Sequence, residues 1–324
     1  MAELTELSEE AASAAVVIVT GPTATGKTRL AVRLANDFHG EVVSADSRQL
    51  YCGLDLGTGK DLEEYQADGM AVPYHLIDVA LPGERFDLFR YLELARRALN
   101  QIVASSKLPV VCGGTPLYLS ALLKGYAMVG GQPDLRLRED LERRDLPELL
   151  AMLRQCASPE LLARTDLTQP RRVIRAIEIA RHPECAIRTR ALSHPLILAP
   201  KYTRDEVRSR IETRLKARLQ AGMVEEVRAL HDERGISWEQ LDWFGLEYRY
   251  VSRYLRGMLA YDEMYCELLN HIRQFARRQD IWFRKLEREG NAIHWIDHGD
   301  YATARELVEK ALGSGAFPGI SGAP

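Results

Sequence analysis

The amino-acid sequence predicts an α/β fold: a parallel sheet core with a helical insertion and a helical C-terminal region. Three observations carry this. Short β-branched runs alternate with helical patterns through the first third of the chain. The first of those runs leads straight into a glycine-rich turn of phosphate-binding type. From about residue 131 the spacing becomes helical and charge-rich, interrupted by one short apolar strand.

Val16-Val17-Ile18-Val19 is β-branched throughout and reads as a buried parallel strand. Leu30, Ala31, Leu34 and Ala35 then recur at helical spacing within Thr28 to Asp37. Glu41 to Ser44 is a second strand ending at Ala45-Asp46, and Val72 to Val79 reads as extended. Phe89 to Ala104 has amphipathic helical spacing. Leu108 to Cys112 is a further strand, closed by Gly113-Gly114 and followed by a helix from Pro116 to Leu123. Gly130-Gly131-Gln132-Pro133 marks a boundary. After the break at His194-Pro195 comes a strand, Leu196 to Ala199, and Arg204 to about Lys285 reads as successive helices. The expected organisation is a disordered lead-in over 1–15, the first part of the core over 16–130, a helical insertion over 131–170, a return to the core with a helical region over 171–312, and a disordered tail over 313–324.

The chain's 324 residues suffice for two domains or one domain with a large insertion. Its net charge of -3 provides no global basic field, so a nucleic-acid partner has to be met by local clusters. Cys52, Cys112, Cys156, Cys185 and Cys266 are scattered, with no C-x-x-C pair, which argues against a disulfide framework or a zinc site and fits a reducing cytoplasm. The acidic, Ala-rich start lacks the basic-then-apolar pattern of a secretion signal, and no apolar run approaches the ~18 residues of a membrane span. A cytoplasmic monomer is the expectation.

Gly21-Pro22-Thr23-Ala24-Thr25-Gly26-Lys27-Thr28 fits G-x-x-x-x-G-K-[ST] in full, between a predicted strand and a predicted helix. Its glycines let backbone amides turn inward around phosphate oxygens at the positive end of the helix. Lys27 supplies a cation, and the Thr28 hydroxyl suits Mg²⁺. The core is therefore read as P-loop NTPase-like. An ordinary P-loop NTPase adds an apolar strand ending in a Mg²⁺-holding Asp. Here Leu108 to Cys112 ends in Gly113-Gly114-Thr115, and Ile77-Asp78 is the one weak substitute, which tilts the reading away from phosphoryl transfer. Asp46, after the second strand, falls at the carboxyl edge of the sheet near the phosphate loop. Asp46 and Ser47 also suit a helix N-cap, so position alone leaves both roles open.

Gly21 to Thr28, Asp46 to Thr58 and Gly113 to Tyr118, in that order and spacing, resemble the tRNA dimethylallyltransferase family. The resemblance continues through Gln169 to Glu178, Arg210 to Arg214, Gly222 to Val227, Arg277-Arg278-Gln279 and Trp282-Phe283-Arg284, and so covers nearly all of Val16 to Asp297. It implies transfer of a dimethylallyl group from dimethylallyl diphosphate to the exocyclic amine of the adenine beside the tRNA anticodon. It further implies diphosphate held by Gly21, Pro22, Thr23, Ala24, Thr25, Gly26, Lys27, Thr28 and Arg214, with Mg²⁺ on Thr28. By resemblance Asp46 is the base, with Thr115 and Arg214 beside the reaction centre. Asp46, Ser47, Arg48, Gln49, Thr115, Gln169, Arg171, Arg172 and Arg175 fall at positions that meet tRNA, and 131–165 at the insertion embracing the anticodon stem.

Arg210, Arg214 and Arg218 share one helical face. A tRNA partner needs a cationic track, and three stretches offer one. Residues 171–190 hold six arginines against two acids, 201–220 seven basic residues against three acids, and 271–288 six against two. Trp243, Phe244, Tyr248 and Tyr250 form an aromatic cluster that reads as core more readily than as a stacking platform. The chain also departs from the family: Glu247-Tyr248-Arg249 stands where members carry Gly-Tyr/Phe-Arg/Lys, and the stretch between Glu178 and Leu196 is shorter; a bacterial-type member, without a C-terminal zinc-finger extension, is the expectation. Two other readings stand beside this one: an adenylate dimethylallyltransferase acting on free AMP, ADP or ATP, and a P-loop small-molecule kinase.

Overall fold

The structure, a computed structural model, describes residues 6–67, 69–124, 127–128, 135–182, 187–188 and 190–313. Lys124–Ala191 form one compact unit, and Leu7–Leu123 with the chain from Leu192 onward form the other. The expected tail beyond Gly313, the first five residues of the lead-in and the Gly130 to Pro133 boundary lie outside the described residues.

The larger unit begins with α1 (Glu9–Ser13), within the stretch expected to be disordered. The Ser8 hydroxyl caps it by accepting from the Ala11 amide, and Leu7 and Ala11 are buried. Small apolar side chains there cover later helices, a tertiary gain that local composition does not announce. The chain continues through β1 (Val16–Val19), α2 (Lys27–Asp37) and β2 (Gly40–Ser44) to β3 (Tyr74–His75). Only two residues of the expected Val72 to Val79 strand are in the ladder, because Leu76 (φ 62°) and Asp78 (φ 55°) adopt left-handed backbone that ends the extension. Then follow α3 (Leu88–Ala104), capped by Asp87, β4 (Leu108–Cys112) and α4 (Pro116–Lys124).

The helical unit contains α5 (Leu135–Glu142), α6 (Leu146–Cys156), α7 (Pro159–Arg164) and α8 (Pro170–Arg181), with a two-residue antiparallel ribbon joining Ala127–Met128 to Ile187–Arg188. Its core is Leu141, Leu149, Leu153, Leu161, Val173, Ile174 and Ile177. Helix α8, expected to return to the sheet, packs in this core instead, so the unit extends past the 131–170 read from sequence. Glu178 is buried at the centre and accepts from Arg138 at 2.8 and 2.7 Å and from Arg175 at 3.0 Å. A buried carboxylate without such partners would be costly.

The chain re-enters the larger unit as β5 (Pro195–Lys201), then α9 (Arg204–Gln220), α10 (Met223–Asp232), α11 (Trp238–Phe244), α12 (Leu246–Leu255), α13 (Tyr261–Arg288), β6 (Ile293–Asp297) and α14 (Tyr301–Gly313). The six strands form a parallel sheet in the order β6-β5-β1-β4-β2-β3, with Val17 opposite both Val110 and Leu196. Strand β6 was not read from sequence: it is a five-residue edge strand whose alternate residues are only partly covered. On one face of the sheet Leu30, Ala31 and Leu34 of α2 and Ala304 and Val308 of α14 pack on Val17, Val19, Val42, Val110 and Leu198. Each such leucine or valine contributes about 1.5–3 kcal/mol of transfer free energy. The carboxyl ends of β1, β2 and β4 thus converge at the point where the winding reverses, where open α/β sheets hold ligands. Among the described residues no helix is long and apolar enough to cross a membrane.

Candidate active site

A cavity of about 750 Å³ opens at those strand ends. Its walls carry Lys27, Arg48, Arg210, Arg214, Arg218, Arg249 and Arg278 against Asp46, Asp61, Glu64 and Glu247. In a chain of net charge -3, this concentration of cations marks the cavity as an anion site.

The phosphate loop forms its floor. Gly21 (φ 138°) and Gly26 (φ 80°) take backbone that a side chain would strain, and Gly26 opens α2. The loop is braced from within by the Thr25 hydroxyl and the Lys27 ammonium, each donating to the Pro22 carbonyl at 2.8 Å. It is braced from outside as well: the Arg210 guanidinium donates to the Ala24 carbonyl at 2.7 Å, and that of Arg214 donates to the Thr23 hydroxyl. Gln279 of α13 accepts from the Thr23 amide at 2.9 Å and donates to the Gly114 carbonyl at 3.0 Å, tying the loop after β1 to the loop after β4. Sequence reading noted the Arg277-Arg278-Gln279 motif but not this tie, which needs two residues some 160 to 250 positions away. Burial lowers the Lys27 ammonium to about 8 and lifts the neighbouring Cys112 thiol to about 12.

Asp46 stands on the same cavity. No helix starts there, so the N-cap alternative falls: one carboxylate oxygen accepts from the Arg48 amide at 2.9 Å in a local turn. A Cβ on Gly113 would lie 2.3 Å from the Ala45 carbonyl carbon, so the backbones after β2 and β4 can meet only with glycine here. That approach lets the Thr115 hydroxyl accept from the Ser47 amide at 2.9 Å, placing Thr115 and Ser47 beside Asp46. Gln49 also lines the cavity and is tied into the fold at both ends. It is buried, its amide oxygen accepts from the Ser44 hydroxyl at 3.1 Å, and its amide nitrogen donates to the Gly59 carbonyl at 3.0 Å. Both ends serve the fold.

The loop after Tyr51 makes another wall, through Gly57, Thr58 and Gly59. The Glu226 carboxylate accepts from the amides of Asp55 (3.2 Å), Leu56 (2.7 Å) and Gly57 (3.2 Å) and from the Tyr248 hydroxyl (2.7 Å). Lys60, 1% exposed, donates to the Tyr51 carbonyl at 2.8 Å, to Asp55 at 2.7 Å and to Asp78. Asp78, the weak substitute for a Mg²⁺-holding Asp, is therefore committed to Lys60. Arg218 pairs with Asp61 at 3.1 Å, completing the Arg210, Arg214, Arg218 face, all three of which line the cavity. Burial raises the Glu64 carboxyl, and Asp61 beside it raises it further. Burial also raises Glu247, against the pull of Arg218, Arg214 and Arg48.

Gln169, Arg171, Arg172 and Arg175 belong to the helical unit. Gln169, Arg171 and Arg172 are exposed at the start of α8, Arg172 paired with Asp166 at 2.7 Å, while Arg175 is spent on Glu178. In the larger unit a second cavity, of about 650 Å³, adjoins the phosphate loop at Pro22 and Thr25. It gathers Lys201, Arg204 and Arg208 from one basic stretch and Arg273, Arg277 and Arg284 from another.

Comparison with known proteins accords with this geometry. A family model described as IPP transferase matches residues 49–286, and one described as isopentenyl transferase matches residues 14–69. The chain is 46% identical over 303 residues to tRNA dimethylallyltransferase 1 of Syntrophus aciditrophicus, covering 92% of this chain and 99% of that protein. It is 47% identical over 287 residues to tRNA dimethylallyltransferase 1 of Hahella chejuensis, covering 88% and 92%. The crystal structure of the full-length tRNA isopentenylpyrophosphate transferase from Bacillus halodurans superposes with a TM-score of 0.67 at 29% identity, over 94% of this chain and 97% of that one. With a family model over most of its length and such relatives end to end, the chain belongs to the IPP transferase family.

Proposed function

We propose that the protein transfers a dimethylallyl group from dimethylallyl diphosphate to the exocyclic N6 amine of the adenine adjacent to the tRNA anticodon, releasing diphosphate. The observation that carries this reading is that a phosphate loop and an Asp carboxylate face one cation-rich cavity, while Asp78, the candidate for a phosphoryl-transfer Asp, is held by Lys60. The diphosphate seats on free backbone amides of the Gly21 to Thr28 loop at the start of α2, with Lys27 and Arg214 over its oxygens. The carbon–oxygen bond to diphosphate breaks as the bond from the amine nitrogen to the allylic carbon forms, and the amine proton passes to Asp46. Charge growing on the leaving group is offset by Lys27 and Arg214 within a cavity where such charges act strongly. Thr115 and Ser47 brace the turn that aims Asp46, and alignment of a weak amine nucleophile contributes as much as proton removal.

Mg²⁺ fits the oxygen chemistry of the Thr28 hydroxyl, with the Glu64 carboxylate on the same cavity. Among the described residues no group of three or more His, Cys, Asp or Glu forms a cage, which suits an ion held by Thr28 and substrate phosphates. The ion would supply charge neutralisation on the leaving diphosphate.

The basic cavity of α9 and α13 and the exposed Arg171 and Arg172 favour a polyanionic acceptor over free nucleotide. The names of the relatives point the same way. The reading places the protein in the cytoplasm with its acceptor. The test is a label-transfer assay with purified protein, Mg²⁺ and labelled dimethylallyl diphosphate, offered unmodified tRNA and, in parallel, AMP or ATP. Label in tRNA is the expected result. Label entering only the nucleotide, or ATP turnover without transfer, overturns it.

A further inference from the structure

The run Arg277-Arg278-Gln279 is a motif that the proposed chemistry leaves unused. Successive residues on a helix point about 100° apart, and α13 exploits this. Arg277 lines the second cavity and Arg278 the reaction cavity, while Gln279, only 5% exposed, is wedged against the loops at the carboxyl edge of the sheet. Its partners fix which way its amide points. The Thr23 amide can only donate and the Gly114 carbonyl can only accept. Gln279 therefore turns its oxygen to the first, at 2.9 Å, and its nitrogen to the second, at 3.0 Å. A Cβ on Gly114 would lie 2.8 Å from that nitrogen, so glycine is what lets the side chain reach the carbonyl.

Both ends of this bridge continue into the reaction cavity. On the donor side the Thr23 hydroxyl accepts from Arg214, the guanidinium set over the diphosphate. On the acceptor side Gly114 leads into Thr115. The Thr115 amide donates to the Ala45 carbonyl at 3.2 Å, and its hydroxyl accepts from the Ser47 amide at 2.9 Å. Thr115 thus holds both peptide groups that flank Asp46. The bonds that join the ends of β1 and β4 stop one residue short of Gly114: the Gly113 amide donates to the Val19 carbonyl at 3.2 Å, and the Thr20 hydroxyl to the Gly113 carbonyl at 2.8 Å. From Arg214 to Asp46 the contacts are continuous, and at Gln279 they cross from one loop to the other.

We infer that Gln279 is a positioning residue that couples the two substrates. Diphosphate under Arg214 sets Thr23, Thr23 sets Gln279, and Gln279 sets the Gly114–Thr115 segment that aims Asp46 at the acceptor amine. This inference rests on the donor and the RNA acceptor proposed above. Such coupling is reciprocal: whatever factor diphosphate adds to RNA affinity, RNA adds to diphosphate affinity.

The test measures binding of an unmodified anticodon stem-loop RNA by fluorescence anisotropy at fixed salt and Mg²⁺, with and without saturating inorganic diphosphate. Transfer of labelled dimethylallyl is read in parallel. For the wild type, diphosphate is expected to tighten RNA binding at least about fivefold, and RNA to tighten diphosphate by the same factor in calorimetry. Gln279→Met keeps the length of the side chain and removes both hydrogen bonds. It is expected to bring that ratio to about one and to lower the single-turnover rate at saturating substrates on the order of tenfold. Gln279→Asn keeps the amide but is one methylene short of spanning both partners, and should lose the ratio as well. A merely structural role weakens both ligands or lowers the melting temperature and leaves the ratio in place. A wild-type ratio within about twofold of one, or variants that keep the wild-type ratio, overturn the coupling. Coupled binding without label in the RNA leaves the coupling standing and removes the transfer reading; RNA that does not bind removes both.

Discussion

The two ends of the reaction cavity are built in opposite ways. At the phosphate-loop end the ligand-facing groups come from one run, Gly21 to Thr28, joined by Arg214, while distant residues such as Gln279 and Arg210 brace it. At the other end Asp46, Arg48, Gly59 and Glu247 come from three separate stretches and meet through turns. The difference follows from what each end holds. A diphosphate is recognised by a ring of backbone amides at a helix start, which only contiguous residues provide. A base is recognised by side chains at its edges and faces, and these can come from anywhere in the chain.

Removing the base tests the comparison hardest. Asp46→Ala is expected to lower transfer on the order of 10²–10⁴-fold, the usual weight of a general base, while binding of inorganic diphosphate stays within about twofold. Equal damage to diphosphate binding would merge the two ends into one electrostatic site. Isothermal titration with diphosphate alongside single-turnover transfer separates these outcomes.

Lys27→Ala is the complementary change and the next largest. Donor affinity and rate are expected to fall together, roughly 10²-fold in kcat/KM, because the ammonium holds both ground-state and leaving diphosphate. The wild type carries a pH signature of the same group. Burial lowers Lys27 to about 8, so the charged form that attracts diphosphate is full below that pH and lost above it. Diphosphate affinity should therefore weaken as pH rises through about 8, and Lys27→Ala should flatten that limb. A limb that persists in the variant assigns it to another group.

Legibility from sequence divides along the same line. The run of the contiguous end was legible, since the G-x-x-x-x-G-K-[ST] spacing carries its own geometry, whereas its tie to Gln279 was not. The sheet was legible wherever strands are buried and β-branched, as at Val16–Val19 and Leu108–Cys112. The edge strand Ile293–Asp297 was not, because only Ile296 of its five residues is fully buried. Helix α8 was assigned to the sheet unit because its apolar face is visible in sequence but the partner of that face is not. Gln49 lines the cavity with Ser44 and Gly59 each holding one of its amide ends, a tie no local pattern announces. The cavity's scattered end needed the fold before its residues could be seen as neighbours.

The mildest test concerns how the scattered end is held in register. Glu226 accepts from three successive amides and from Tyr248, four donors that a carboxylate can satisfy and an amide cannot. Glu226→Gln would turn an N–H₂ group toward those donors and leave amides of Asp55 to Gly57 unpaired, at about 1–3 kcal/mol for each one buried. The disturbed loop supplies Gly57 to Gly59 to the cavity wall, and the Gly59 carbonyl holds Gln49, whose other end grips Ser44 just before Asp46. No link of that chain touches the phosphate loop. The expected result is a lower melting temperature with KM for the RNA acceptor raised about tenfold and KM for the donor unchanged. Tyr248→Phe, which removes one donor of the four, should move the same two quantities in the same direction by less. A matched rise in both KM values would mean that the loop braces the diphosphate as well, and the cavity would then be a single cooperative framework instead of two ends built separately.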